Sequence, residues 1–247
     1  MMTENIKDAL EYAVELAGGQ EVIYEEKGKV FYDQSKAKLV ELDGIKYANT
    51  LEVHTLSGMV GYLKERFDKT LGEKLLVHVA SPTRVDVYSE LDANRKRESA
   101  IVATAELDRY PFGRFLDSER FIINILSLFE RDENSEGIRK CASAIRIEGG
   151  GDVIDNGVSQ TVTIKKGAAT VGQAEVPSPV ELRPYRTFLE VEQPASPFVF
   201  RIDEDGGCAL FEADGGMWKN HAIGNVVEYL TEAFEAEIES GFITIIG

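Results

Sequence analysis

The sequence is poor in the residues on which most protein chemistry relies. Its two cysteines, Cys141 and Cys208, lie far apart in unlike surroundings. That supports neither a disulfide framework nor a zinc site, and it suits a reducing compartment. The three histidines, His54, His78 and His221, stand at no metal-ligand spacing from one another. No stretch approaches the roughly 18–20 apolar residues of a membrane span. The N-terminal run MMTENIKDALEYAVELAGG breaks its apolar pattern with acids, so it does not read as a signal peptide. Basic residues are outnumbered too, 27 against 43 acidic ones, for a net charge of −16. From Glu190 onward twelve acids face two bases, which puts −10 of that charge in the C-terminal part. A field of this sign repels phosphate backbones and disfavours broad nucleic-acid binding. It reads as a solvating surface, with mimicry of a polyanion toward a basic partner as the alternative.

Motifs of common catalysts are missing as well. Ser57, in LSGM, lacks the full G-x-S-x-G elbow and reads as a cap or packing residue. The GGGD run at 149–152 lacks the Gly-Lys-Ser/Thr ending of a phosphate loop and reads as a hinge. Cys141 has Arg139 and Lys140 nearby, a setting that can lower a thiol pKa, but no local base follows it and it reads as inert. The sequence therefore assigns no catalytic residue, no metal ligand and no cofactor.

What is present describes a folded protein of mixed class. Hydrophobic residues make up 43% and charged ones 28% of 247 residues, enough for one large domain or two modest ones. Ile6 to Leu16 has helical spacing, ended by Gly18 and Gly19. EVIYEEKGKVFYD alternates around Lys27–Gly28 as a hairpin does, and KAKLVEL and IKYANTLEVH look extended. Thr55 to Phe67 returns to helix, with Thr55 or Ser57 as its cap. LLVHVASPTRVDVYSEL and ESAIVATAEL are strand-rich runs joined by the charged tip DANRKR. Between Phe112 and Phe129 the pattern is helical and apolar on more than one side, which suits a central core helix or a subunit interface. Ser135 to Ile147 gives one more helix.

A Gly-rich joint, 148–157, then separates a mixed part, 1–148, from a β-rich part, 158–247, unless the two form one continuous domain. SQTVTIKKGAATVGQAEV reads as a hairpin turning at Lys166–Gly167, and FVFRI with CALFEA as a strand pair around Asp203–Gly207. Five of seven prolines fall between Pro177 and Pro197, a density that favours edge strands and rigid corners. Ala222 to Ile238 is a closing helix, and FITIIG a tail that pairs with a sheet or docks on a neighbouring subunit. The expected class is α+β: mixed antiparallel sheets, several packed helices, and a C-terminal β-rich block closed by a helix.

Three constellations remain as candidates. Asp203, Glu204, Asp205, Glu212 and Asp214 are dense enough to hold a hard divalent cation. Yet Asp203–Gly207 is also an ordinary turn, and Asp214–Gly215–Gly216 a turn with a helix cap. Arg95, Lys96 and Arg97 on one tip, with Lys165 and Lys166 on another and Arg183 and Arg186 around Tyr185, suit phosphate clamps beside a stacking platform. Phe121, Ile122, Ile125 and Phe129, with Phe242, Ile243 and Ile245 of the tail, are the candidate interface of a homo-oligomer.

The runs HTLSGMVGYL, VASPTRVDVYSEL, FGRFLDSERFI, RTFLEVEQPASPFVFR and ALFEADGG together resemble the YfdQ-type family of uncharacterised phage and prophage proteins. The resemblance covers most of the chain after about Leu51 and is strongest from Pro177 on. It implies a phage- or prophage-associated protein in the cytoplasm of a host bacterium, and it carries no activity with it. The expected function is non-catalytic, through homo-oligomeric assembly or binding of a host or phage protein. The alternatives are an accessory protein of phage DNA metabolism that binds single strands, and a metal-dependent hydrolase using Glu212 and Asp214.

Overall fold

Two periodicities in the sequence, two and 3.6, become two kinds of element in the computed structural model. It describes residues 2–16, 23–26, 29–32, 47–68, 74–92, 94–144, 153–155, 160–166, 169–176 and 178–247. The chain divides into two units, Met1–Tyr47 and Ala48–Gly247. In the first, helix α1 (Met2–Leu16) precedes an antiparallel hairpin of β1 (Ile23–Glu26) and β2 (Lys29–Tyr32), with Ile23 opposite Tyr32. The hairpin's expected turn, Lys27–Gly28, and the run 36–42 lie outside the described residues.

The second unit runs β3 (Leu51–Val53), α2 (Leu56–Lys64), β4 (Leu75–Ser81), β5 (Arg84–Ser89), β6 (Ser99–Thr104), α3 (Ser118–Leu128) and α4 (Glu133–Ala144). It continues through β7 (Val153–Asp155), β8 (Gln160–Lys166), β9 (Ala169–Val176), β10 (Val180–Leu182), β11 (Ser196–Ile202) and β12 (Cys208–Glu212), and ends in α5 (Trp218–Ala233), α6 (Glu235–Glu239) and β13 (Ile243–Ile246). The class is α+β. Strands β7, β8 and β9 form a three-stranded antiparallel ladder.

The largest sheet has the order β13-β4-β5-β6-β3. Its two outer pairings, β13 with β4 and β3 with β6, are parallel, and the inner ones antiparallel. Strand β4 shows why the sheet buries one face: Leu75, Val77 and Val79 point inward while Leu76 and His78 alternate away from the core. Against Leu75, Val77, Val79, Val85 and Val87 pack Leu56, Met59 and Leu63 of α2 and Val226, Leu230 and Phe234 of α5. Helix α2 begins where the sequence suggests, because the Thr55 side chain accepts a hydrogen bond from the Gly58 N–H at 3.1 Å. Ser57, the other candidate, donates both its N–H and its hydroxyl to Glu190.

A second core lies between the sheet β10-β11-β12 and helices α3 and α4. Strand β11 sends Phe198, Phe200 and Ile202 inward at period two. Asp117 caps α3 by accepting from the Arg120 N–H at 2.8 Å. Asp132 and Ser135 cap α4 reciprocally, each side chain accepting from the other's N–H.

Several expectations need correction. The apolar run 112–129 is helical only over Ser118–Leu128. Phe121, Ile125 and Phe129 close the second core, and Ile243 the first, so these four have almost no surface to offer another subunit. Ile122, Phe242 and Ile245 are partly buried against the same cores. The tail joins the sheet within its own chain, with Ile243 opposite Leu75 and Ile246 opposite His78. A strand from the C-terminal part thus completes a sheet begun in the N-terminal part, and the chain divides between its two units at 47/48. The closing helix is interrupted at Phe234, whose backbone (φ −109°, ψ 24°) leaves the helical region. Pro197 stands near the start of the central strand β11, not on an edge.

Candidate functional site

The run RTFLEVEQPAS folds without a ladder of its own, and a buried side chain supplies the missing partners. Gln193 is 1% exposed. Its Oε1 accepts from the N–H groups of Arg186 (2.9 Å) and Thr187 (3.3 Å), and its Nε2 donates to the carbonyls of Phe188 (3.1 Å) and Val191 (3.2 Å). One amide thereby serves four backbone groups of the loop, of which the Phe188 carbonyl also accepts from the Val191 N–H at 3.3 Å. The loop is fastened outward as well: Thr187 donates to the Pro82 carbonyl, Glu190 accepts from Ser57, and Glu192 pairs with Arg183 at 3.1 Å.

The loop's first residue reaches into the second signature run. The Arg186 side chain is only 8% exposed. Its Nη1 donates to Glu212 at 2.8 Å, and its Nη2 donates to the Ser196 hydroxyl. The guanidinium carbon lies 4.0 Å from the ring centre of Trp218, a cation–π contact in a poorly solvated place. Burial pulls the Arg186 pKa down, while Glu212 and Asp214 pull it back up. Its third donor, Nε, is buried without a partner.

Trp218 is itself set by the turn ADGG. Asp214 accepts from the Gly216 N–H and the Trp218 N–H, both at 3.0 Å. Gly215 and Gly216 take φ of +62° and +85°, which a residue with a Cβ adopts only with strain.

These pieces wall a cavity of about 400 Å³. The β4–β5 turn (Ser81 to Thr83), the connection after β6, the end of α3, Pro184 to Arg186, and the first residues of α5 all contribute. Four of the lining side chains are aromatic: Tyr110, Phe112, Tyr185 and Trp218. Three are cationic, Arg109, Arg186 and Lys219, and the one carboxylate, Glu212, is already bonded to Arg186. Neither Arg109 nor Lys219 has a carboxylate partner among the described residues. The lining contains no histidine or cysteine, and the Ser81 hydroxyl accepts from the Thr83 N–H instead of facing a base. Among the described lining residues no nucleophile is paired with a proton acceptor.

The residues singled out in the sequence are placed differently. Arg95, Lys96 and Arg97 are exposed on the β5–β6 connection, where Lys96 N–H bonds Asp92 and Arg97 bonds the Ser89 carbonyl. Lys165 and Lys166 are in β8 opposite Thr170 and Ala169, and their side chains lie outside the described residues. Arg183 pairs with Glu130 and Glu192. Asp203 accepts from the N–H groups of Asp205 and Gly207, as a turn requires, and a Cβ at Gly207 would meet that carboxylate at 2.6 Å. Glu212 and Asp214 are thus occupied by Arg186 and by backbone donors. Among the described residues no group of three or more His, Cys, Asp or Glu comes together to hold a metal ion.

Cys141 and Cys208, unrelated in sequence, share the second core. Burial pushes both thiols up, Cys208 to about 12. Arg109, Lys219 and Tyr110 escaped the sequence reading because their segments are unconnected in the chain. Among the described residues no helix is long and apolar enough to cross a membrane. Comparison with family models, curated proteins and solved structures finds no match to this chain.

Proposed function

We propose that this is a non-catalytic, phage- or prophage-associated binding protein of the YfdQ type, acting in the host cytoplasm, and that its cavity recognises an anionic group. The observation that carries the reading is the inversion of charge. A chain of net charge −16 lines one aromatic cavity with three cations and a single carboxylate that is already paired. Cations gathered in a concave, low-dielectric wall focus their field and raise the local concentration of anions.

Trp218 gives a test that needs no known ligand, because it is the only tryptophan in the chain and stands in the cavity wall. Relative to free N-acetyltryptophanamide, its fluorescence should be quenched more strongly by iodide than by caesium at equal ionic strength. Arg109→Glu combined with Lys219→Glu should reverse that preference. Equal or stronger quenching by caesium in the parent protein removes the reading, since that is what the overall charge alone would produce.

A second reading, self-assembly or docking of a protein partner, is favoured by the outer side of α3. Ile123 and Leu126, three residues apart on one face, are 53% and 38% exposed. Light scattering on the eluting protein should then give a multimer of the 27.4 kDa chain, reduced to a monomer by Ile123→Glu with Leu126→Glu. A monomeric parent ends the self-assembly form of this reading.

A further inference from the structure

We propose that the cavity takes a free mononucleotide, its base among the aromatic side chains and its phosphate between Arg109 and Lys219. This rests on the anion-recognition reading above and names the ligand class. Size is the first argument: about 400 Å³ falls in the roughly 300–1,000 Å³ range of small-ligand sites.

The walls supply the second argument. A bare inorganic anion gains nothing from aromatic neighbours, and an aliphatic acid gains only apolar burial, whereas a planar ring can also stack. Tyr110, Phe112, Tyr185 and Trp218 present such surfaces, and stacking on them tolerates any base because every base has a π face.

Charge is the third. A phosphate monoester carries about −1.5 to −2 at neutral pH, which matches the two lining cations without a carboxylate partner among the described residues, Arg109 and Lys219. Both are exposed, as groups meeting a phosphate at the mouth of a cavity must be. The fork of Arg109 also fits phosphate oxygens in pairs.

The same charges argue against a nucleic-acid strand as the source of the nucleotide. Arg95, Lys96 and Arg97 do not line the cavity. A strand leaving it would meet the surface of a chain with net charge −16.

The experiment titrates the full chain, by calorimetry and by Trp218 fluorescence, with adenosine monophosphate, thymidine monophosphate, adenosine, inorganic phosphate and an oligothymidylate. A mononucleotide should bind saturably, about tenfold or more tighter than adenosine or phosphate alone. Arg109→Glu with Lys219→Glu should lose binding about tenfold or more at an unchanged melting temperature, both side chains being exposed. Tyr185→Ala should weaken it about tenfold through the lost stack, leaving iodide quenching intact. Phosphate binding as tightly as the mononucleotide overturns the assignment of the ring. An oligothymidylate binding more tightly than thymidine monophosphate overturns the free nucleotide in favour of a strand. Absence of mononucleotide binding while iodide still outquenches caesium overturns the nucleotide and leaves the anion reading standing; loss of the iodide preference removes both.

Discussion

Between the five-stranded sheet and helices α2 and α5 the chain packs mainly Val, Leu, Ile and Ala. Between the three-stranded sheet and helices α3 and α4 it packs rings that touch one another. Phe121 stacks on Phe200 at 5.3 Å, Phe112 on Phe198 at 5.2 Å, and Tyr110 meets Phe129 edge-on at 5.2 Å. The difference is one of direction. Aliphatic burial is proportional to area and indifferent to angle, so β13 can close the first core from the far end of the chain. Ring contacts prefer particular geometries, and the second core is assembled from segments that fix those geometries. The rim of that aromatic core supplies Tyr110 and Phe112 to the cavity, while the aliphatic side contributes the β4–β5 turn. The candidate site therefore draws its recognition surface from the aromatic core.

The largest expected effects come from truncating each core at its centre. Phe200→Ala should cost about 3–5 kcal/mol and Leu230→Ala about 2–5 kcal/mol in urea unfolding. Both residues are fully buried. Far-UV circular dichroism and Trp218 fluorescence should report one shared transition for each variant, because the segment 186–193 ties the cores together. Two separated transitions would show that the cores unfold independently. A loss below about 1 kcal/mol for Phe200→Ala would contradict the packing described for the rings.

The tie itself is the next target. Phe188 belongs to the first core and Phe198 to the second, and Gln193 holds the loop between them. Gln193→Ala leaves two N–H donors and two carbonyls without the partners they now have, at about 1–3 kcal/mol for an unsatisfied buried group. Water entering the vacated space offsets part of that sum, so a loss of about 3 kcal/mol is expected. The comparison sharpens if Gln193→Ala makes the two optical probes diverge where the core variants do not. A change below about 1 kcal/mol would mean that the four bonds are dispensable.

The order of these effects parallels what the sequence made legible. Alternation in LLVHVAS, the Thr55 cap and the turns at Asp203 and Asp214 are local facts, set within a few residues by pleat geometry, capping and Asx hydrogen bonds, and the structure repeats them. The parallel docking of FITIIG on β4 is not local: an apolar edge strand shows that it needs a partner without showing which one. Burial of Phe121, Ile125 and Phe129 was legible as apolarity, but helical periodicity does not separate a core from a subunit interface. The cavity was least legible. Arg109, Arg186 and Lys219 belong to unconnected segments, and only Arg186 lay in a run that drew attention. Gln193 was hidden for a related reason, since a glutamine in a Pro-rich run looks like a solvated loop residue until its four partners are known.

The smallest expected effect separates the cores by pH. Cys208 and Tyr110 are buried in the aromatic core, whereas no fully buried residue of the aliphatic core is titratable and its tyrosines, Tyr62 and Tyr229, pack against it only partly buried. Burial raises Cys208 from 9.0 to about 12 and drives Tyr110 upward from 10.0. In both cases the neutral, protonated form is favoured in the folded state. Above pH 9 the unfolded Cys208 gives up its proton while the folded one keeps it, so the native state binds more protons and stability falls as pH rises. The stabilisation is complete below the unfolded pKa and is lost progressively up to about 12. Urea midpoints measured across this alkaline range should fall less steeply for Cys208→Ala than for the parent. Leu230→Ala, in the other core, should keep the parental slope at its lower starting stability. Parallel slopes for the parent and Cys208→Ala would mean that the thiol is not held protonated by burial, and the pH contrast between the two cores would rest on Tyr110 and Cys141.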